Sequence, residues 1–86
     1  QMREWAAGFA NRFAPDPAVP TADAVARAYS LALNRTPSVD EFTDATAFIE
    51  AQSERHRAAS APEPRTLALV DFAQVMLSLN EFIYVD

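Results

Sequence analysis

The chain has 86 residues, of which 50% are hydrophobic, with a formal net charge of -5 and a sequence pI of about 4.6. A chain of this length forms one small domain, and its hydrophobic content is too high for a disordered tail. The acidic balance argues against a nucleic-acid partner, because a phosphate backbone is bound by clustered positive charge. Cysteine is absent, which excludes disulfides and cysteine-ligated metals, and no apolar run is long enough for membrane insertion.

The first predicted helix covers residues 2–14. Its large apolar residues recur at spacings of three and four, on one side of a helix: Met2, Trp5, Phe9 and Phe13. We expect this side to pack against the domain or a neighbouring surface rather than to stack on carbohydrate. Three prolines within residues 15–20 end the helix and predict a semi-rigid linker.

The second predicted helix covers residues 21–33, with Thr21 as its N-cap. Its spacing predicts a buried stripe made of Ala22, Val25, Ala28, Tyr29, Ala32 and Leu33. Asn34 follows the last apolar residue and is suited to the left-handed conformation that often ends a helix. Pro37 then prevents the helix from continuing.

The third predicted helix covers residues 39–58 and begins after a capping box formed by Ser38 and Glu41. Its inner face is predicted to contain Val39, Phe42, Ala45 or Thr46, and Ile49, with Phe48 on the flank. The apolar repeat fades after Gln52, and a loop is expected to run to about residue 63.

The fourth predicted helix covers residues 64–83, with Pro64 in its first turn. Apolar residues occupy more than one of its sides, which is typical of a helix surrounded by others. The sequence therefore predicts an all-α fold, in which residues 1–86 form a bundle of about four helices around the C-terminal one.

Two segments resemble a known family. Residues 27–41 (RAYSLALNRTPSVDE) and the ending LSLNEFIYVD are together similar to the C-terminal end of the planctomycete-specific domain of unknown function. The match covers residues 27–41 and 71–86, and it singles out residues expected to have structural roles: Arg27, Tyr29, Asn34, Arg35, Pro37, Glu41, Asp71, Asn80, Glu81, Phe82 and Tyr84.

The resemblance implies a helical module at the C-terminus of a large, exported or periplasmic bacterial protein that also carries a cytochrome c-like domain. A start at Gln1, inside a helical pattern, fits a piece of such a protein. Asn34 replaces the glycine usual in the family, which a left-handed cap tolerates. Leu79 replaces a small polar residue, so that surface is expected to be more buried.

Two groups of polar residues near the third helix are assigned to its ends. His56 is the only imidazole and lies among charged residues, so we expect it to be exposed rather than to act as a ligand or base. The carboxylates at the start of the helix are expected to complement its dipole rather than to bind a cation: Asp40, Glu41 and Asp44.

The last helix carries three further polar candidates. Asp71 interrupts an apolar stretch, and we expect it to form a structural ion pair with Arg27 or Arg35. Asn80 and Glu81 are expected to satisfy backbone groups of a neighbouring helix rather than to contact a ligand.

These residues predict a non-catalytic helical module that packs against the remainder of its parent protein, with no catalytic residue, cofactor or metal. A rival hypothesis is that the module completes an active site acting on polysaccharide or in redox chemistry, which requires Asp71, Glu81 and Arg35 to converge. A third is a homo-oligomerisation module, since apolar helix faces pair with copies of themselves.

Overall fold

The computed structural model describes residues 2–16 and 18–83, with side chains from 3–16 and 18–78. These residues form four α-helices and no strand: α1 (Met2–Phe13), α2 (Thr21–Leu33), α3 (Val39–Ala58) and α4 (Pro64–Ile83). The predicted all-α fold is confirmed. The helix bounds agree with those predicted except that α1 ends one residue earlier.

The connection between α2 and α3 follows the predicted capping chemistry. Asn34 has φ 58° and ψ 38°, in the left-handed region, and its N–H donates to the Ser30 carbonyl. The Ser38 hydroxyl accepts from the Glu41 N–H at 3.1 Å, while the Ser38 N–H donates to Glu41 Oε1 at 2.9 Å. Both halves of the capping box are therefore formed, which fixes the first residue of α3.

The start of α2 differs from the prediction that Thr21 is its N-cap. Pro20 occupies the cap with φ -60° and ψ 147°, and no side chain makes a capping hydrogen bond. The proline ring sets φ at a value suited to this position, so backbone restriction rather than a hydroxyl begins the helix. Thr21 is the first helical residue.

The preceding linker is attached to α4 by the Arg65 guanidinium, which donates to the Val19 carbonyl.

The core is built from all four helices, and α4 packs against each of the other three. Alanines dominate where the helices approach: Ala6, Ala10, Ala24, Ala28, Ala45, Ala68 and Ala73 are buried. Larger side chains fill the spaces between them, with the Phe13 ring meeting Phe9 and Phe72 edge to face at 5.1 and 6.1 Å between centroids. The two most extensive pairings, α3 with α4 and α1 with α4, confirm the predicted central position of the last helix.

Three residues predicted to be buried are exposed. Trp5 is 67% exposed. The buried face of α1 is formed by Ala6, Phe9, Ala10 and Phe13, and the centre of that face points away from the indole. Val39 is 82% exposed, since the first residue of α3 lies beyond the core. In α2, Ala22 is exposed and Ala24 is buried instead. The remaining predicted stripe of α2 is buried or half-buried.

Across the part of the chain that the structure describes, no helix combines the length and the hydropathy required to cross a lipid bilayer.

Candidate functional site

The first polar site is centred on Asp71 of α4, whose carboxylate joins three helices. Arg3 of α1 donates to Oδ1 at 2.6 Å, while Gln52 and His56 of α3 contact Oδ2 at 2.9 and 2.7 Å. The same Arg3 guanidinium also donates to the Gln74 side chain. The Asp71 side chain is only 15% exposed, so these bonds lie at the edge of the core.

The protonation of this site follows from its geometry. Burial alone would raise the pKa of Asp71, but hydrogen bonds from His56, Arg3 and Gln52 outweigh burial and hold the pKa below its usual value. An ionised carboxylate can only accept, so the His56 nitrogen facing it, Nε2, carries a proton in the neutral ring and in the imidazolium alike. The arrangement is therefore a structural clamp of three donors on one anion.

The clamp corrects two predictions. His56 is half-buried against Asp71, so the expectation of an exposed histidine is wrong. Asp71 does form an ion pair, but with Arg3 rather than with Arg27 or Arg35. Gln52 and His56 follow the buried Ile49 at spacings of three and four, so they continue the buried face of α3, which was a signal that the histidine points towards a neighbour. The Arg3 contact spans 68 positions and had no such local signal.

A second polar cluster surrounds the turn between α2 and α3. Arg35 binds Glu41 with both terminal nitrogens, at 2.7 and 2.8 Å, and also donates to the Thr36 carbonyl. Its guanidinium carbon lies 5.5 Å from the centre of the Tyr29 ring, within cation–π range. Hydrogen bonds from Arg35 and from the Ser38 N–H lower the pKa of Glu41 to about 2. These contacts give the residues of the turn a structural role.

The third feature is an open groove between α2, α3 and α4, with a volume of about 380 Å³. Its apolar lining comes from Ala45, Phe48, Phe72, Val75 and Met76, and its polar lining from Tyr29, Glu41 and Asp44. We call it the α2–α3–α4 groove. Asp44 is exposed and pairs with no cation among the described residues, whereas Glu41 is neutralised by Arg35. The groove therefore combines an apolar surface with one uncompensated carboxylate.

Of the three residues that the rival active-site hypothesis requires, the two with described side chains, Arg35 and Asp71, belong to separate polar clusters. Arg35 and Asp71 share no hydrogen-bond partner, and neither lines the α2–α3–α4 groove. Arg27 is exposed and makes no ion pair with a described residue. The remaining residues singled out by the C-terminal motif have side chains outside those described: Asn80, Glu81, Phe82 and Tyr84.

The described residues contain no group of three or more histidine, aspartate or glutamate side chains placed to hold a metal ion. Pro37 is half-buried in the turn. The described residues thus form a small all-α bundle that carries the polar clamp at Asp71 and the α2–α3–α4 groove. No protein-family profile, curated protein or solved structure matches the chain.

Proposed function

We propose that this chain is a non-catalytic helical module that binds a helical segment of a protein through the α2–α3–α4 groove. The observation that carries the proposal is the lining of the groove, in which the half-buried Phe48 and the exposed Val75 lie over the buried Phe72 and Met76. Val75 is 43% exposed although it lies on the most apolar helix. Covering such a surface is favourable by about 25 cal/mol for each Å² of apolar area removed from water.

The shape of the groove favours a helix over a small molecule. A small-molecule site encloses most of its ligand, whereas this groove is open on one side and lies between helices. An amphipathic helix inserts two or three side chains into such a groove and leaves its polar face in water. Asp44 at the edge favours a partner with a basic residue beside its apolar ones.

The resemblance of residues 27–41 and 71–86 to the planctomycete-specific domain supports the wider setting of the proposal. In that setting the module lies at the C-terminal end of a large exported bacterial protein, whose other parts and further copies supply the helical segments available to the groove. The clamp at Asp71 and the pair formed by Arg35 and Glu41 then serve to hold the helices that form the groove.

The proposal is tested by titrating the isotope-labelled chain with a short amphipathic peptide of Leu, Ala and Arg, followed by NMR. We expect amide shifts concentrated at the groove residues. Val75→Glu places a charge in the apolar lining and should weaken binding at least about tenfold. Leu31→Glu is the matched control, because Leu31 is 45% exposed but does not line the groove.

The control variant should bind the peptide as the wild type does. Peptide shifts scattered over the surface, or an equal loss of binding in the Val75 and Leu31 variants, would show that the groove is not a binding site. Both substitutions are at exposed positions, so both variants should remain helical. Circular dichroism checks this.

A further inference from the structure

The exposed side of α1 has a composition that complements the α2–α3–α4 groove. Trp5, Gly8 and Arg12 are separated by three and four residues and therefore lie on one helix face. All three are exposed, and a Cβ added to Gly8 would meet nothing within 4 Å. Arg12 makes no ion pair with a described residue. We call this surface the Trp5 face.

Building on the proposed function, we infer that the groove binds the Trp5 face of a second copy of this chain. The indole would cover the apolar lining around Phe48 and Val75, and Arg12 would pair with Asp44. Each side thereby supplies what the other lacks: an exposed aromatic ring for an open apolar surface, and a guanidinium for a carboxylate, neither of which has an ion pair with a described residue.

The dimensions of the two surfaces agree. Trp5 and Arg12 are seven positions apart, which corresponds to about 10 Å along a helix. The part of α3 that lines the groove runs from Glu41 to Phe48, also seven positions and about 10 Å. Within it, the residues that would meet the two anchors, Asp44 and Phe48, are four positions or about 6 Å apart, and the long flexible side chain of Arg12 spans the difference. Gly8 lies between the two anchors of the Trp5 face, and its missing side chain allows the backbone of α1 to approach the groove closely.

The inferred contact joins two different surfaces, so each copy uses its Trp5 face and its groove with partner molecules. Such a heterologous contact closes into a ring or a reciprocal pair when the geometry permits, and otherwise extends into a chain. One groove and one helix face form a small interface, which is typical of weak association in the micromolar to millimolar range.

The test is sedimentation velocity over a concentration series of the full chain and its variants. We expect the wild type to associate reversibly, and Trp5→Ser to raise the dissociation constant at least about tenfold, as buried aromatic anchors do. Arg12→Asp and Asp44→Arg should each weaken association, and the variant that carries both changes should recover it. Arg27→Asp, which alters an exposed arginine outside both surfaces, is the matched control and should behave as the wild type.

Recovery in the doubly changed variant identifies the pairing, because a merely structural effect of either change would not be reversed by the other. A wild type that stays monomeric at millimolar concentration overturns the inference, as does association that Trp5→Ser leaves unchanged. If the monomer still binds the Leu, Ala and Arg peptide at the groove, the proposed function stands and only the second copy is refuted. If neither binds, both proposals fall.

Discussion

Asp71→Ala should destabilise the bundle by about 2 kcal/mol. Two of the lost hydrogen bonds, from Gln52 and His56, are partly buried and contribute about 1 kcal/mol each. The bond from Arg3 contributes about 0.5 kcal/mol, because about half of its side chain is exposed to solvent, which screens the pair. The higher helix propensity of alanine offsets about 0.5 kcal/mol of the loss. A fall of this size lowers the Tm of a small domain by about 8–16 °C.

The assay is urea unfolding followed by circular dichroism, with Asp44→Ala as the control, since Asp44 is an exposed aspartate without an ion pair among the described residues. The control should change the free energy of unfolding by less than about 0.5 kcal/mol. Double-mutant cycles with His56→Ala and Arg3→Ala should give a larger coupling energy for the histidine. An Asp71→Ala variant that loses no more stability than the control, or two coupling energies of zero, would refute the stabilising role of the clamp.

Three further outcomes are expected. Phe13→Ala should lower the free energy of unfolding in urea by about 3–5 kcal/mol, whereas Trp5→Ala should lower it by less than about 1 kcal/mol, because only the Phe13 ring is buried. Equal losses would contradict the packing. Thr46→Val should raise the free energy of unfolding by about 1 kcal/mol, since it removes a buried hydroxyl with no partner among the described residues; a lower Tm would contradict this. The ion pair of Glu41 stabilises the fold above pH 4.5 and loses its effect as pH falls towards 2. Arg35→Gln should raise the NMR titration midpoint of Glu41 from about 2 towards 4.5. An unmoved midpoint would exclude the arginine as the cause of the lowered pKa.

Helix ends could be predicted from the sequence because their signals are local. Asn34, Ser38 and Glu41 act within a few residues of one another, so the turn between α2 and α3 can be recognised without knowing the rest of the fold. Pro64 acts in the same way at the start of α4. The central position of that helix could also be predicted, because its apolar residues are not confined to one side.

The contacts between helices could not be predicted in the same way. Trp5 fits the three- and four-residue spacing as well as Phe9 does, and only the angle at which α1 meets the bundle exposes the indole. The partner of Asp71 depends equally on which helix crosses α4, since Arg3, Arg27 and Arg35 all carry the required charge. Charge and spacing identify the residues that need a partner, whereas tertiary packing decides which partner each receives.

The three donors around Asp71 come from very different distances along the chain. Gln52 and His56 lie 19 and 15 positions away, across the short connection between α3 and α4, whereas Arg3 lies 68 positions away. Closing the shorter loop costs less chain entropy, so the C-terminal helical hairpin is expected to nucleate folding and α1 to dock last. The amide protons of α1 should then exchange with solvent sooner than those of the hairpin, which makes the N-terminal helix the detachable part of this bundle.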